Sequence, residues 1–180
     1  MITEDQHFRF QRQGYIVLEK ILSESVLTWL QSRCDEAVDW KASGMRSLGI
    51  EEDGINLLGK RYFVSGYRKQ NIELDRFLFG DVMAEISSGI LGETVYLHNE
   101  QFVVKGQDQR SRFAWHQDSG YSVYRGGAEL HAPYLTCWIA LDDMSAQNGT
   151  ISVLSFDEFG EGRLMEHWWD EDEAAMVGYS

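Results

Sequence analysis

The sequence changes character at Thr94, and this change constrains the fold more than any other feature. Before it, apolar residues recur at helical spacing in two stretches. They predict an amphipathic helix from the N-cap Ser23 to about Trp40, and a second helix over roughly 73–90. After Thr94, runs of β-branched and aromatic residues dominate, with polar or glycine-rich breaks between them. A helical N-terminal part followed by a mainly β C-terminal part is therefore predicted.

Shorter segments add detail to this division. A β-forming run after a glycine predicts a first strand at 14–18, and a second short strand is predicted at 61–64. Residues 43–59 carry four glycines among charges, which predicts an irregular loop. The most strongly β-forming run of the chain lies at 134–141. The acidic stretch after Phe156 predicts a solvated loop.

Length and charge limit the architecture and the partners. At 180 residues the chain is expected to form one domain, 1–180, with a helical or mixed part at 1–92 and a β core at 93–180. The chain has 16 Lys and Arg residues against 29 Asp and Glu residues, a formal net charge of −13. Such a chain is repelled by phosphate backbones and anionic membranes. Neither nucleic acid nor a membrane is an expected partner.

Targeting signals and cysteine usage point to one compartment. The N-terminal residues contain no basic region followed by an apolar run, so no secretory signal is expected, and no stretch is apolar for long enough to cross a bilayer. Cys34 and Cys137 lie far apart and form no spacing typical of zinc sites or of a disulfide framework. The sequence therefore predicts a cytoplasmic protein with reduced thiols.

A short polar motif within the β-rich half carries the candidate chemistry. It is Trp115-His116-Gln117-Asp118. In an extended strand, side chains two apart leave the same face, so His116 and Asp118 would face one space while Gln117 points away. An imidazole and a carboxylate are two of the three ligands in the 2-His-1-carboxylate site of non-haem Fe(II) oxygenases. The triplet alone is too short to establish a metal site.

The segments around the motif make it more specific. A strand-like run at 101–105 comes first, then a polar loop, the His116–Asp118 triplet, a run at 137–143 and the turn at 147–150. This order resembles the phytanoyl-CoA dioxygenase family of Fe(II)/2-oxoglutarate-dependent oxygenases. The N-terminal segment 14–18, followed by a helix, is similar to that family too, so the resemblance covers most of the chain.

The resemblance implies a fold and an activity. The implied fold is mainly β with flanking helices, a double-stranded β-helix (jelly roll) that is incomplete at the C-terminus. The implied activity is the hydroxylation of a small organic substrate, coupled to oxidative decarboxylation of 2-oxoglutarate to succinate. The implied cofactor is Fe(II), with 2-oxoglutarate as the cosubstrate. Related halogenases resemble this pattern with a small residue in place of Asp118, so the carboxylate favours hydroxylation.

The resemblance also assigns roles to particular residues. Metal ligands fall on His116 and Asp118. Contacts to 2-oxoglutarate fall on the following residues of the flanking segments and of the motif itself: Gln101, Lys105, Trp138 and Gln117. Each of the first three has an ordinary structural alternative, because a strand glutamine is commonly exposed, an edge-strand lysine discourages aggregation and a tryptophan in an apolar run commonly packs in the core.

The third metal ligand is not evident. The family has a distal histidine and a later arginine that pairs with 2-oxoglutarate, and neither is found. The remaining histidines are His7, His98, His131 and His167. His167 follows the triplet, as a distal ligand should, but its neighbours lack strand character and predict a surface residue. Three explanations for the missing ligand are considered. The chain is a truncated product, or it borrows strands from a second copy, or it is a remnant that binds iron weakly.

Two alternatives to an oxygenase are also predicted. A jelly roll without its last strands would expose an unpaired edge. The chain could therefore be a non-catalytic or truncated module that binds a small ligand or forms a homo-oligomer through that edge. A cupin-like metal protein with different chemistry, using His131 or His167 as an extra ligand, is the other alternative.

Overall fold

The computed structural model describes residues 2–106, 114–121, 134–159, 163–170 and 175–178. The helices named in this part of the chain are α1 (Glu4–Gln13), α2 (Glu24–Leu48), α3 (Ile72–Leu78), α4 (Asp81–Leu91) and α5 (Phe156–Phe159). The strands are β1 (Glu52–Asp53), β2 (Asn56–Leu57), β3 (Arg61–Ser65), β4 (Gln101–Lys105), β5 (Trp168–Asp170) and β6 (Ala175–Val177).

Helix α2 supplies one layer of the core. The hydroxyl of Ser23 accepts a hydrogen bond from the amide of Val26, which confirms the predicted N-cap. The buried face of the helix carries Leu30, Cys34, Ala37, Ala42 and Met45. The helix runs past the predicted end at Trp40 to Leu48, because its apolar spacing continues and Gly44 is tolerated within it. It stops where Gly49 adopts a left-handed conformation.

An antiparallel sheet supplies the second layer. Its described strands follow the order β1-β2-β3-β4, and β3 pairs with β4 so that Phe63 lies opposite Val103. Val64 and Phe102 are buried and join the core cluster with the apolar face of α2. The predicted strand at 61–64 is confirmed. The predicted loop at 43–59 is wrong in part, since it contains the end of α2 and the β1-β2 hairpin.

Two N-terminal predictions need correction. The predicted strand at 14–18 is absent, because a helix, α1, precedes Gly14 and the following residues have no regular structure. Thr3 starts this helix by a capping box with Gln6, and Gly14 ends it in a left-handed conformation. The predicted helix at 73–90 is two helices, α3 and α4, separated at Phe79 and Gly80.

The β-rich half shows less strand structure than predicted within the described residues. The run at 134–141 forms no strand there. Ile139 and Leu141 nevertheless pack against the core, and the carbonyl of Leu141 accepts a hydrogen bond from the Gln31 side chain at 2.6 Å. A β-forming run becomes a strand only when a neighbouring strand supplies hydrogen bonds, and this segment bonds to α2 instead.

Within its described residues the acidic stretch contains a short helix and a strand, so the predicted solvated loop is wrong in part. Helix α5 lies against α1, where Arg12 and Asp157 form an ion pair at 2.9 Å and Phe156 packs onto Gly14. Further along, β5 pairs with β6 in a separate two-stranded sheet. The described residues thus form small antiparallel sheets with flanking helices. Among these helices, none has the length and apolar composition needed to cross a membrane.

Candidate active site

The motif adopts a bent conformation instead of the predicted strand. Residues 114–117 are irregular and 118–121 form a helical turn, closed by a hydrogen bond from the Gly120 amide to the Gln117 carbonyl at 2.8 Å. The extended geometry predicted for the motif is therefore wrong. His116 and Asp118 still face each other, with 3.6 Å between His116 Nε2 and Asp118 Oδ1.

His116 is oriented by its neighbours. Its Nδ1 lies 2.8 Å from the Ala114 carbonyl oxygen, which requires Nδ1 to carry a proton and leaves Nε2 as the nitrogen facing Asp118. The ring of Tyr121 stands edge-on to the imidazole at 5.2 Å. Asp118 raises the pKa of His116, and the Ala114 carbonyl adds to this effect while burial opposes it. These contacts fix which nitrogen a metal ion would meet.

Asp118 is held ionised at the mouth of the site. The His116 side chain is 21% exposed and that of Asp118 is 54% exposed. The Thr136 hydroxyl donates a hydrogen bond to Asp118 Oδ2 at 3.1 Å. His116 is the largest cause that lowers the pKa of Asp118, Thr136 lowers it further, and burial opposes both. The carboxylate is therefore available as an anionic ligand at neutral pH.

The two side chains fit a divalent metal ion in part. Two ligand atoms bound cis to a metal at about 2.1 Å each lie about 3 Å apart, close to the separation of Nε2 and Oδ1. Imidazole and carboxylate are also the donor types of non-haem Fe(II) sites. Within the described ranges no three His, Cys, Asp or Glu residues converge on a metal position. The described residues thus supply two ligands of a facial triad.

A cavity of about 350 Å³ opens beside these ligands. Its walls come from the motif, from the end of α1, from the stretch before α5 and from the segment before β5. The residues that line it are Gln13, Gly14, Trp115, His116, Gln117, Asp118, Ser152, Val153, Leu154, Phe156, Arg163, Met165 and Gly178. Its size lies at the lower end of the range for small-molecule sites.

Gln117 connects the motif to the segment before β5. Its Oε1 accepts from the Met165 amide at 2.7 Å, and its Nε2 donates to the Arg163 carbonyl at 2.9 Å. The carboxamide therefore bonds to the backbone of this segment as a neighbouring strand would. Gly178 adds a bond from its amide to the Trp115 carbonyl at 2.8 Å. The cavity wall is thereby fastened to the residues that carry the ligands.

His167 belongs to the same network and is not a surface residue. Its Nε2 accepts from the Gln117 backbone amide at 2.9 Å, and its Nδ1 donates to the Met165 carbonyl at 2.7 Å. The ring fills space that a Cβ at Gly120 or Gly178 would occupy. Since both ring nitrogens are engaged, His167 offers no lone pair to a metal in this structure.

The other predicted cosubstrate residues lie away from the cavity lining. Gln101 and Lys105 share one face of β4, opposite Phe102, and the Gln101 side chain donates to the Ser65 hydroxyl at 3.0 Å. Burial lowers the pKa of Lys105. Trp138 is 45% exposed. The structure thus brings His116, Gln117 and Asp118 to the cavity lining, whereas Gln101, Lys105 and Trp138 are not among the lining residues.

The remaining histidines do not join the site. His7 lies on α1, and His98 is exposed beside the ring of Tyr134 at 5.2 Å. Neither lines the cavity. His131, the other predicted candidate, lies outside the described residues. A third ligand was not identified from the sequence, and the described residues do not add one.

Arg163 was missed from the sequence although it lines the cavity. It lies in the stretch interpreted as a solvated loop. One signal was available, because Arg163 is the only Lys or Arg residue after Phe156, among many carboxylates. In the sequence, a single basic residue in such a stretch looks like an ordinary surface residue. The contact between Arg163 and Gln117 places it at the cavity, and the sequence does not reveal that contact.

Comparison with known proteins identifies the family. The model of the phytanoyl-CoA dioxygenase (PhyH) family matches residues 10–173. The chain belongs to this family. The match includes the motif, the cavity-lining segments before α5 and β5, and both layers of the core.

Individual relatives are more distant. The chain is 25% identical over 154 residues to an ectoine dioxygenase of Bordetella bronchiseptica, covering 85% of this chain and 48% of that protein. An ectoine dioxygenase of Sphingopyxis alaskensis is also 25% identical over 154 residues, covering 85% of this chain and 49% of that protein. The chain therefore spans about half the length of the curated relatives that it matches. No solved structure matches it.

Proposed function

We propose that this chain carries part or all of the active site of an Fe(II)/2-oxoglutarate-dependent dioxygenase that hydroxylates a small organic substrate. The observation that supports it most directly is the pair of His116 Nε2 and Asp118 Oδ1, 3.6 Å apart beside a cavity. Family membership and the ectoine dioxygenases among its relatives support the same class of reaction. The jelly roll typical of the family is part of this proposal.

His116 and Asp118 would hold the metal in this proposal. Bound Fe(II) supplies the oxidising chemistry, in which 2-oxoglutarate, O₂ and a substrate C–H bond give succinate, CO₂ and the hydroxylated product. The Ala114 carbonyl keeps the His116 proton on Nδ1, and Thr136 restrains the Asp118 carboxylate. The protein contributes position and charge, while the cofactor performs the bond-making chemistry.

The cosubstrate residues are proposed with less direct support. Gln101 and Lys105 lie on the same face of β4, at the two positions that the family resemblance assigns to 2-oxoglutarate. Burial favours the neutral form of Lys105, and an anion beside it would favour the charged form. Trp138 is proposed as a further wall of the 2-oxoglutarate site. Gln117 is better explained as the residue that anchors the segment at 163–165.

Succinate formation tests the proposed activity. Purified protein is incubated with Fe(II), ascorbate, O₂ and 2-oxoglutarate, and succinate is measured without added substrate. We expect slow production of succinate that His116→Ala and Asp118→Ala abolish, because each removes a ligand. His98→Ala is the matched control and should retain the wild-type rate, since His98 is exposed and lies outside the cavity. Equal rates for folded wild type and His116→Ala would contradict the proposal.

A non-catalytic module is the second candidate. The observation that favours it is that two, not three, protein ligands converge within the described residues. Strand β4 also lies at the end of the described four-stranded sheet, which offers an edge for pairing with a second copy. This candidate predicts a folded homo-oligomer that forms no succinate, whereas the oxygenase predicts metal-dependent succinate in any oligomeric state. Sedimentation velocity measured beside the succinate assay separates the two.

A further inference from the structure

Two peptide units separate the candidate metal ligands His116 and Asp118, and these units meet at Gln117. Each unit is planar, so the placement of one ligand relative to the other depends on how the two planes are rotated. A hydrogen bond to the amide or to the carbonyl of a plane restrains that rotation. Both planes carry such a bond in this structure, one of them local and the other to a distant segment.

The plane after Gln117 is held locally. Its carbonyl accepts from the Gly120 amide at 2.8 Å, which closes the helical turn that begins at Asp118. The plane before Gln117 is held from a distance, because the Gln117 amide donates to His167 Nε2 at 2.9 Å, 50 positions later in the chain. The direction in which His116 leaves the backbone therefore depends on a side chain from the segment that carries β5.

The surroundings of His167 suit it to accept that bond. Its Nδ1 donates to the Met165 carbonyl at 2.7 Å, so the ring proton lies on Nδ1 and the lone pair of Nε2 is directed at the Gln117 amide. The ring lies between Gly120 and Gly178, two buried glycines at which a Cβ would overlap it. Met165 adds a bond from its own amide to Gln117 Oε1 at 2.7 Å. The imidazole is thereby fixed in both position and tautomer.

Two ordinary roles for His167 explain less of this arrangement. A metal ligand needs a free lone pair, and the lone pair of Nε2 is engaged by the Gln117 amide. A ring that only fills the space between two glycines needs no acceptor, yet the acceptor nitrogen of His167 meets the amide that lies between two candidate metal ligands. His167 is not among the residues that line the cavity, so contact with a ligand there does not explain its position either.

We propose that His167 is a positioning residue, whose Nε2 holds the peptide plane between His116 and Gln117 and thereby sets the separation of the two ligand atoms for a metal ion. This separation is the 3.6 Å between His116 Nε2 and Asp118 Oδ1. The inference rests on the proposed function, which makes these two side chains metal ligands. His167 acts through the backbone and contacts neither the metal nor the substrate.

A pair of substitutions separates the acceptor from the rest of the ring. In His167→Gln the side-chain carbonyl reaches the position of Nε2 and can accept from the Gln117 amide. In His167→Asn the shorter carboxamide reaches the position of Nδ1, where it can donate to the Met165 carbonyl but not accept from Gln117. Both variants lose the packing of the ring between the two glycines, so this loss cancels when they are compared.

The first comparison is made by NMR on the full chain without metal. Exchange of the Gln117 amide with solvent should be at least about fivefold faster in His167→Asn than in His167→Gln, because the hydrogen bond is lost. Three-bond couplings should report one χ1 rotamer for His116 and Asp118 in wild type and in His167→Gln, and averaging in His167→Asn. Equal exchange rates and equal couplings in the two variants would overturn the proposal.

The second comparison is a calorimetric titration with Mn(II), a divalent ion that is stable in air. His167→Asn should weaken the affinity of wild type about tenfold, as loss of a group that orients metal ligands commonly does, whereas His167→Gln should weaken it less than about threefold. His98→Gln is the matched control and should bind as wild type does, since His98 is exposed and lies outside the cavity. Equal losses in both His167 variants would assign the effect to ring packing and overturn the proposal.

A measurement on wild type needs no variant to fold. Nitrogen-15 shifts of the His167 ring should show the proton on Nδ1, and a proton on Nε2 would overturn the proposal because that nitrogen could not accept. The outcome is also separable from that of the proposed function. If the two variants differ in Gln117 exchange and in the couplings but wild type does not bind Mn(II), the metal site is contradicted and the positioning of the motif stands. If wild type binds Mn(II) and both His167 variants bind it equally, this inference alone is contradicted.

Discussion

The layer formed by α2, β3 and β4 and the site formed by residues 114–121, 163–170 and 175–178 are stabilised in different ways. In the first, Ala37 and Val64 are 0% and 1% exposed and pack in one apolar cluster. In the second, Trp115 is 42% exposed, and polar contacts made by Gln117 and His167 hold the segments together. Burial of apolar area stabilises the first region, and hydrogen bonds specify the second.

This difference shows where stability and chemistry reside. A metal and its ligands must be reached from solution, so the side chains that bind them cannot be sealed in an apolar core. Hydrogen bonds contribute about 1 kcal/mol each, which fixes geometry without adding much to global stability. The site can therefore open locally while the helix-sheet layer stays folded. Four substitutions or conditions test this contrast, beginning with the largest expected effect.

Met45→Ala should destabilise the whole domain. Met45 is 2% exposed on the buried face of α2, so truncation should cost about 3 kcal/mol in free energy of unfolding, measured by urea denaturation. Leu48→Ala on the same helix is the control, because Leu48 is 73% exposed and should change stability by less than about 0.5 kcal/mol. Equal effects of the two substitutions would show that α2 does not anchor the core.

Gly120→Ala should damage the site. A Cβ there would overlap the His167 ring, so we expect a cost of about 2 kcal/mol and loss of the bond from the Gln117 amide to His167. Gly44→Ala is the matched control, since nothing lies within 4 Å of its Cβ and alanine favours the helix by about 1 kcal/mol. Urea denaturation measures both. A neutral Gly120→Ala would mean that His167 does not pack against this glycine.

Gln117→Ala should loosen the site without loosening the core. It removes the acceptor of the Met165 amide and the donor to the Arg163 carbonyl, worth about 1 kcal/mol each. Hydrogen exchange at Met165 should become at least about fivefold faster, while amides in the middle of α2 keep their protection. Gln101→Ala is the control, because its side chain bonds to Ser65 on the neighbouring strand. Faster exchange throughout α2 would contradict the separation of the two regions.

Alkaline pH should act on the core through Cys34. Burial, the largest cause, raises its pKa from 9.0 to about 11. Because the pKa in the folded chain is the higher one, the stabilising effect is fully present below pH 9 and is lost as pH rises through 9 to 11. At pH 10 the loss should be about 1 kcal/mol. Unfolding measured from pH 8 to 10 should show a flatter decline for Cys34→Ala than for wild type, because the variant lacks the buried thiol. Parallel declines would contradict this assignment.

The sequence predicted the core better than the site. The helical spacing of Leu30 and Cys34 located α2, because such spacing reflects burial that the structure confirms. The spacing did not locate the end of α2, because Gly44 and Gly49 can each end a helix. The structure shows that Gly49 does so, in a left-handed conformation. The strand predicted at 14–18 was wrong because Gly14 is the left-handed C-cap of α1 and residues 15–18 pair with no strand of the described sheets.

The site depends on contacts between distant segments, which local patterns do not encode. His116 and Asp118 do face each other, but through a bent turn, whereas the prediction assumed that they share one face of a strand. Sequence periodicity does not predict that His167 packs over Gly120. It also does not predict the hydrogen bonds from Gln117 to Arg163 and Met165, which lie more than 40 positions later in the chain. Arg163 was missed for the same reason.

The central claim is that His116 and Asp118 bind a metal ion, and anaerobic calorimetric titration with Fe(II) tests it most directly. We predict saturable binding by wild type, weakened at least about tenfold in His116→Ala and in Asp118→Ala and unchanged in His98→Ala. Fe(II) binding that is equal in wild type and folded His116→Ala, or no binding by wild type, would contradict the claim.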